Sequence, residues 1–242
     1  MNPIFQLWFE STFEYMESLK KIARTAGVWY LVLAVAGAYG IMYVPSQIVV
    51  PNDATATAKN LLAHEFLFRV GIASNIIGQI AFLFLALTLY QLFRQVNERQ
   101  AKLLVALVVA AVPVAFLIIF NEVAALLILK EEFMQAVAPP QRHLWAMLFL
   151  TWYSYGITLI GIFWGLWLIP FGRLVYQSGF IPKTIGILLI VGGISYVVDT
   201  FVFLLFPSYR TTSSQLVAVL SSLGELSVVL WLLIKGVKTA SR

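Results

Sequence analysis

The chain has no cysteine and only two histidines, His64 and His143, among its 242 residues. Without thiols there is no disulfide framework, no thiol nucleophile and no iron–sulfur or cysteine-type zinc site. Charge is scarce too: 11% of the residues are Asp, Glu, Lys or Arg, against roughly 25% in an ordinary soluble domain. Hydrophobic residues make up 61%, and the mean hydropathy is +0.89. A chain of this size cannot hide so much apolar surface in one water-surrounded core, which excludes the soluble classes. The net charge of +5 does not point to nucleic acid, because basic residues in a membrane protein mark cytoplasmic loops.

What the sequence does have is long apolar runs. A membrane-spanning helix needs roughly 20 predominantly apolar residues, and six stretches qualify: 27–44, 70–93, 103–129, 144–169, 185–206 and 216–234. They are far too long for barrel strands of roughly 10 residues and lack their alternation. Eight of the nine prolines lie outside these runs or at their ends, Pro170 among them, and only Pro113 sits inside one, where a kink is expected. The expected fold class is all-α: a polytopic membrane protein with six transmembrane helices and an N-terminal amphipathic interfacial helix. In domain terms, residues 1–25 form the cytoplasmic-face helix, 26–238 the transmembrane domain and 239–242 a short cytoplasmic tail.

Charge sets the expected direction. Lys20, Lys21, Arg24, Arg94, Arg99, Lys102, Arg173, Lys183, Lys235, Lys238 and Arg242 fall on one side. Lys59, Arg69, Lys130, Arg142 and Arg210 fall on the other. That bias places both termini in the cytoplasm of a multi-pass protein of the cell (inner) membrane, with the lipid bilayer as its first partner. The N-terminus lacks the basic start, apolar run and cleavage site of a signal peptide. Residues 4–24 instead carry Phe5, Trp8, Phe9, Phe13, Met16 and Leu19 on one face and Gln6, Glu10, Glu14, Glu17, Lys21 and Arg24 on the other. That pattern suits a helix lying in the headgroup layer or packed on the bundle. In the first outer loop, Asp53 is placed to cap a short helix beginning at Ala54.

Ionisable residues inside spans are costly and point to function by default. Arg69, Glu122, Asp199 and Glu225 are such residues, and Asn75, Tyr153 and Tyr155 are among those that add hydrogen-bonding capacity nearby. At 1.5 Å per residue, Glu122 sits roughly 9 Å outward of its span's centre, Asp199 about 5 Å outward and Glu225 near the midplane. One arginine cannot neutralise three carboxylates in a low-dielectric bundle. The surplus acids must be protonated, meet a cation or face water. Arg69 is expected to pair with Glu122 or Asp199. The local alternative is Glu65, one helical turn back. Asp199 and Glu225 have the alternative role of interhelical hydrogen-bonding groups among Ser195, Tyr196, Ser221 and Ser222.

Chemical motifs are sparse. His64 and His143 are weak candidates for a metal site with Glu65, Glu122 or Asp199, and no metal or other cofactor is expected. His64-Glu65-Phe66-Leu67-Phe68 begins like HExxH but ends in phenylalanine, so a zinc ligand is missing. Glu131-Glu132 is like the double glutamate of prenyl-protein proteases, without the arginine that should follow. There is no serine–histidine pair at matching depth and no second aspartate of the GxGD type.

Three stretches carry a family resemblance. SGFIPK at Ser178–Lys183 and GxxYxxD at Gly193–Asp199 lie within Gly156–Pro207, IVVPNDATATAKNLLAHEFLFRVGIASNI covers Ile48–Ile76, and GELSVVLWLLIKGV covers Gly224–Val237. As a set they resemble the bacterial membrane-protein family catalogued as domain of unknown function 4386, over roughly Lys21–Lys238. The resemblance implies six helices and no assigned activity. Arg69, Asp199 and Glu225 fall on its recurrent polar positions, whereas Asn75 stands where it implies aspartate and Trp167 where it implies histidine.

The leading expectation is a non-enzymatic protein that binds, senses or transports a small molecule, proton or cation. Its site would be polar, in the outer half of the bundle, and built from Arg69, Asn75, Glu122, Tyr155, Asp199 and Glu225. One alternative is an intramembrane enzyme acting on a lipid-like substrate, with Asp199 or Glu225 as general base. Another is a structural or accessory subunit, meeting a second copy or a partner through small-residue faces at Gly37, Gly40 or Gly192–Gly193.

Overall fold

The computed structural model describes residues 3–130, 134 and 136–237, with residues 3–16 described by backbone alone. Among the described residues every regular element is helical and there is no strand. The order is α1 (Pro3–Gly37), a π-helical segment (Ala38–Tyr43), α2 (Val44–Ile48), α3 (Ala54–Ala63), α4 (Glu65–Leu129), α5 (Pro139–Ser178), α6 (Lys183–Leu205), a 3₁₀ turn (Pro207–Tyr209) and α7 (Arg210–Ile234). Among the described residues five helices are long and apolar enough to cross a membrane: Glu17–Ile48, Glu65–Leu129, Pro139–Ser178, Lys183–Leu205 and Pro207–Ile234. That is the pattern of a multi-pass membrane protein.

The 65 residues of α4 would measure about 98 Å if straight, three times the roughly 30 Å hydrocarbon core. The helix does not run straight. Asn97 has φ −160° and ψ 97°, and its Oδ1 accepts from the Gln100 N–H at 3.1 Å, capping the limb that follows. The ends of α4 meet: Lys130 Nζ lies 2.6 Å from Glu65 Oε2. Asn97 is the only residue in α4 with non-helical angles, and the backbone at Pro113 stays helical. Nor does Pro170 end its helix. α5 continues to Ser178, because Phe171, Leu174 and Val175 beyond it are fully buried and their packing outweighs the bond that the proline removes.

Backbone helix continues without a break from Pro3 to Gly37. The apolar side chains expected on its first turns (Phe5, Trp8, Phe9, Phe13 and Met16) lie outside the described residues, as does the pair Glu131-Glu132. The loop helix forms as expected: Asp53 Oδ1 accepts from the Ala56 N–H at 2.8 Å. Thr57 Oγ1 bonds both backbone groups of Val50, and Asn60 donates to Ile48 O, so the loop before α3 is tied to it.

Packing divides the chain into two compact units. One comprises residues 32–81 and 110–160; the other comprises residues 1–31, 82–109 and 161–242. The core of the first contains Val44, Ile48, Leu61, Phe68, Ile119, Leu126 and Leu150. In the second, α5 and α6 approach backbone to backbone. A Cβ on Gly165 would overlap the carbonyl oxygen of Gly193, and one on Gly193 would lie 2.7 Å from that of Gly165. Seven residues along each helix, Gly172 and Gly186 repeat the arrangement at 2.6 and 2.7 Å. Gly192 faces Ser221 and Gly224 faces Leu188, where a Cβ would lie 3.0 and 2.9 Å from the facing backbone, so α6 and α7 also approach closely. Small residues allow this approach, and dispersion between the backbones rewards it. Gly192–Gly193 thus serve contacts within the chain.

Candidate ligand site

Three side chains of the first unit meet in its interior. Glu122, on the second limb of α4, is 1% exposed, and Asn75, on the first limb, is 5% exposed. The Asn75 Nδ2 donates to Glu122 Oε2 and to Tyr153 Oη, both at 2.9 Å. Its Oδ1 is buried and has no hydrogen-bond partner among the described residues. The π-helical segment explains how the amide is seated. A π turn inserts an extra residue into a helix and shifts the faces on either side of it. Here it sets Gly40 directly against Asn75, where a Cβ would overlap Oδ1 and lie 2.7 Å from Cγ. Only glycine fits there.

Glu122 also forms part of the wall of a cavity of about 340 Å³. Ile41, Pro45 and Ile48 come from the first helix, Phe68 from α4, and Leu150, Thr151 and Tyr155 are among those from α5. The wall is apolar apart from the Glu122–Tyr153 corner and a few hydroxyls. No Lys, Arg or His is ion-paired or hydrogen-bonded to Glu122 among the described residues. The site can therefore supply one carboxyl group, oriented by a neutral amide, inside an apolar pocket.

The other expected site residues are distributed as follows. Arg69 pairs with Glu65, Nε to Oε1 at 2.8 Å, which is the local alternative; Glu65 is shared with Lys130. Tyr155 is 44% exposed and lies on the cavity rim. Asp199 and Glu225 belong to the other unit. Asp199 accepts from Ser214 Oγ at 3.4 Å. Glu225 Oε2 accepts from the Tyr30 hydroxyl at 2.9 Å, and Tyr196 Oη stands 3.5 Å from Oε1. Tyr30 packs against Trp167, whose ring stacks on Phe171. His143 Nδ1 lies 3.4 Å from Thr55 Oγ1, and among the described residues no three His, Cys, Asp or Glu side chains gather to hold a metal.

Tyr153, Tyr30 and Gly40 complete these clusters and were not among the expected site residues: Tyr153 was expected only as a hydrogen-bonding group of its span, and Gly40 only as part of a small-residue face. For Tyr153 a signal existed: Ala146, Leu150, Tyr153 and Ile160 are buried at helical spacing along α5. It is faint because the lipid-facing side of the helix is equally apolar.

Residues 25–236 match the model of a family described as "Domain of unknown function (DUF4386)". The chain belongs to this family. The DUF4386 match takes in Asn75, Glu122, Tyr153, Asp199 and Glu225 together. An uncharacterized protein of Archaeoglobus fulgidus is 35% identical over 85 residues, 35% of this chain. The match spans 49% of that relative, about half its length. No solved structure matches this DUF4386 chain.

Proposed function

We propose that the chain crosses the membrane six times, with both termini in the cytoplasm, and that it binds a small cation beside Glu122. The interruption at Asn97 supports the count: each limb of α4 exceeds the roughly 20 residues that a crossing needs. The distribution of Lys and Arg supports the direction. A chain without cysteine is suited to testing it by labelling. Thr55→Cys is expected to react with a membrane-impermeant maleimide on intact cells, and Glu98→Cys only after permeabilisation. Equal labelling of both from outside would sink the topology.

The cation reading is carried by one observation: a buried carboxyl group in a cavity wall, with a neutral amide as its partner. As an anion in a low-dielectric site it is costly until a positive charge or a proton completes it. A cation that enters the cavity supplies that charge. Glu225 supports a structural reading for its own position, since two tyrosines converge on its carboxyl group. One experiment separates the two roles. Methylammonium chloride is expected to stabilise the purified protein relative to equal sodium chloride, by about 2.7 kcal/mol at a hundredfold excess over Kd, and so to raise its unfolding midpoint. Glu122→Gln should abolish the rise and Glu225→Gln should keep it. The opposite pattern would move the site to Glu225, and no rise in wild type would end the cation reading.

A further inference from the structure

We propose that the cavity beside Glu122 takes a single-tailed lipophilic amine, with its ammonium group at the carboxyl corner and its tail along the apolar wall. This rests on the cation reading above and specifies the ligand's class. Three features of the cavity carry it.

The first is the disproportion between charge and space. About 340 Å³ lies within the usual range of small-molecule pockets, and a bare ammonium or metal ion would leave most of it unfilled. Ile41, Ile48, Phe68 and Leu150 line that remainder and offer no hydrogen bond to water that might fill it. A hydrocarbon tail is the complement such a wall selects. The second is the polarity of the hydroxyl groups. Thr151 donates its proton to Met147 O at 2.8 Å, so toward the cavity it presents acceptor lone pairs. Beside the carboxyl group of Glu122, those lone pairs favour an N–H donor over an anion. The third is the depth of the most exposed part of its wall. Its exposed members, Ser154 and Tyr155, lie ten and eleven residues beyond Leu144, where the α5 span begins. That is about 15 Å along the helix, halfway through a hydrocarbon core of roughly 30 Å. At that depth the surrounding solvent is lipid tails, so a ligand that enters past these two residues must itself be soluble in them.

Octylamine is the probe, measured by equilibrium binding to the full chain in phosphatidylcholine nanodiscs, with empty nanodiscs subtracted. Saturable binding is expected, at least tenfold tighter than that of ethylamine, and neither octanol nor octanoate should compete at equal concentration. Glu122→Gln should weaken octylamine at least tenfold. Thr151→Trp, which fills the cavity from a partly exposed position and leaves Glu122 in place, should do the same. If Glu122→Gln does not fold, the Thr151→Trp result and the comparison of the four probes on wild type decide the matter. Ethylamine binding as tightly as octylamine, with both lost in Glu122→Gln, would overturn the lipophilic class while the cation site survives. Octylamine displaced by octanol and indifferent to Glu122→Gln would overturn both, leaving an apolar hole. No saturable binding of any amine would likewise overturn both.

Discussion

Gly165→Ala and Gly193→Ala are each expected to destabilise the protein by about 1–3 kcal/mol, the usual cost of forcing a methyl group into a filled interior, and the corresponding valine variants by more. The obstacle in each case is a carbonyl oxygen of the facing helix rather than the end of a flexible side chain. A side chain can rotate away, but a backbone carbonyl moves only with its helix. Relief therefore requires α5 and α6 to separate, and separation at Gly165–Gly193 also weakens the contact at Gly172–Gly186 and the dispersion gained along the seam. Gly161→Ala is the internal control. It lies on the same helix and unit, but the nearest atoms to its Cβ are at 3.7 Å, an ordinary contact. It should be neutral or stabilising by up to about 1 kcal/mol, because alanine is the better helix former. Thermal unfolding in one detergent reads all three. Equal effects at positions 161 and 165 would show that the close approach of the two backbones is not what holds this pair of helices together.

Gly40→Ala carries the second large effect, and it acts on the site. The added methyl group falls on the Asn75 side chain and lies 3.0 Å from the Gly71 carbonyl oxygen, so the amide must leave its seat. Its bonds to Glu122 and Tyr153 then break, and a buried acceptor or donor left unmade costs about 1–3 kcal/mol. Two consequences are expected together: a lower unfolding midpoint, and loss of the stabilisation by methylammonium that depends on Glu122. Asn75→Ala should show both as well. The double variant is the diagnostic one. With the amide gone the methyl group at position 40 has room, so the double variant should be clearly less destabilised than the sum of the two singles, yet still without the cation response. Strict additivity would mean that Gly40 and Asn75 act independently and that the π-helical segment has no part in seating the amide.

Hydrophobicity encodes which segments enter hydrocarbon and which cannot, but not how their faces meet. Chain reversal between the second and third apolar runs was legible because Arg94, Glu98, Arg99 and Lys102 cannot remain in hydrocarbon. The device that makes the reversal, one residue with extended angles inside otherwise continuous helix, was not, since Asn97 stands among several polar residues equally able to turn. The Asp53 cap was legible because capping is local chemistry. Arg69 had two readings open and takes the local one, Glu65, four residues away on the same helix.

For the acids, sequence alone established which side chains are anomalous in a membrane but not which of them share a pocket. Composition and run length determine that the chain is helical and built for a bilayer, because backbone groups in lipid must be satisfied within helices and each crossing has a minimum length. Charge bias and residue type set the rest of what one dimension can say. Partnership is different. Asn75, Glu122 and Tyr153 are 47 and 31 residues apart along the chain, and their meeting depends on the rotation of three helices about their own axes. In a soluble protein the polar face would reveal that rotation. In a helix apolar toward both lipid and core, the phase leaves almost no trace, which is why Tyr155 was placed in the expected site and Tyr153 was not. Likewise, Gly40 or Gly165 reads simply as a small residue until the amide or carbonyl opposite it is known. Those facing atoms are what tertiary structure alone decided, because contact between helices is set by steric fit over a few ångströms, and no periodicity in the sequence records it.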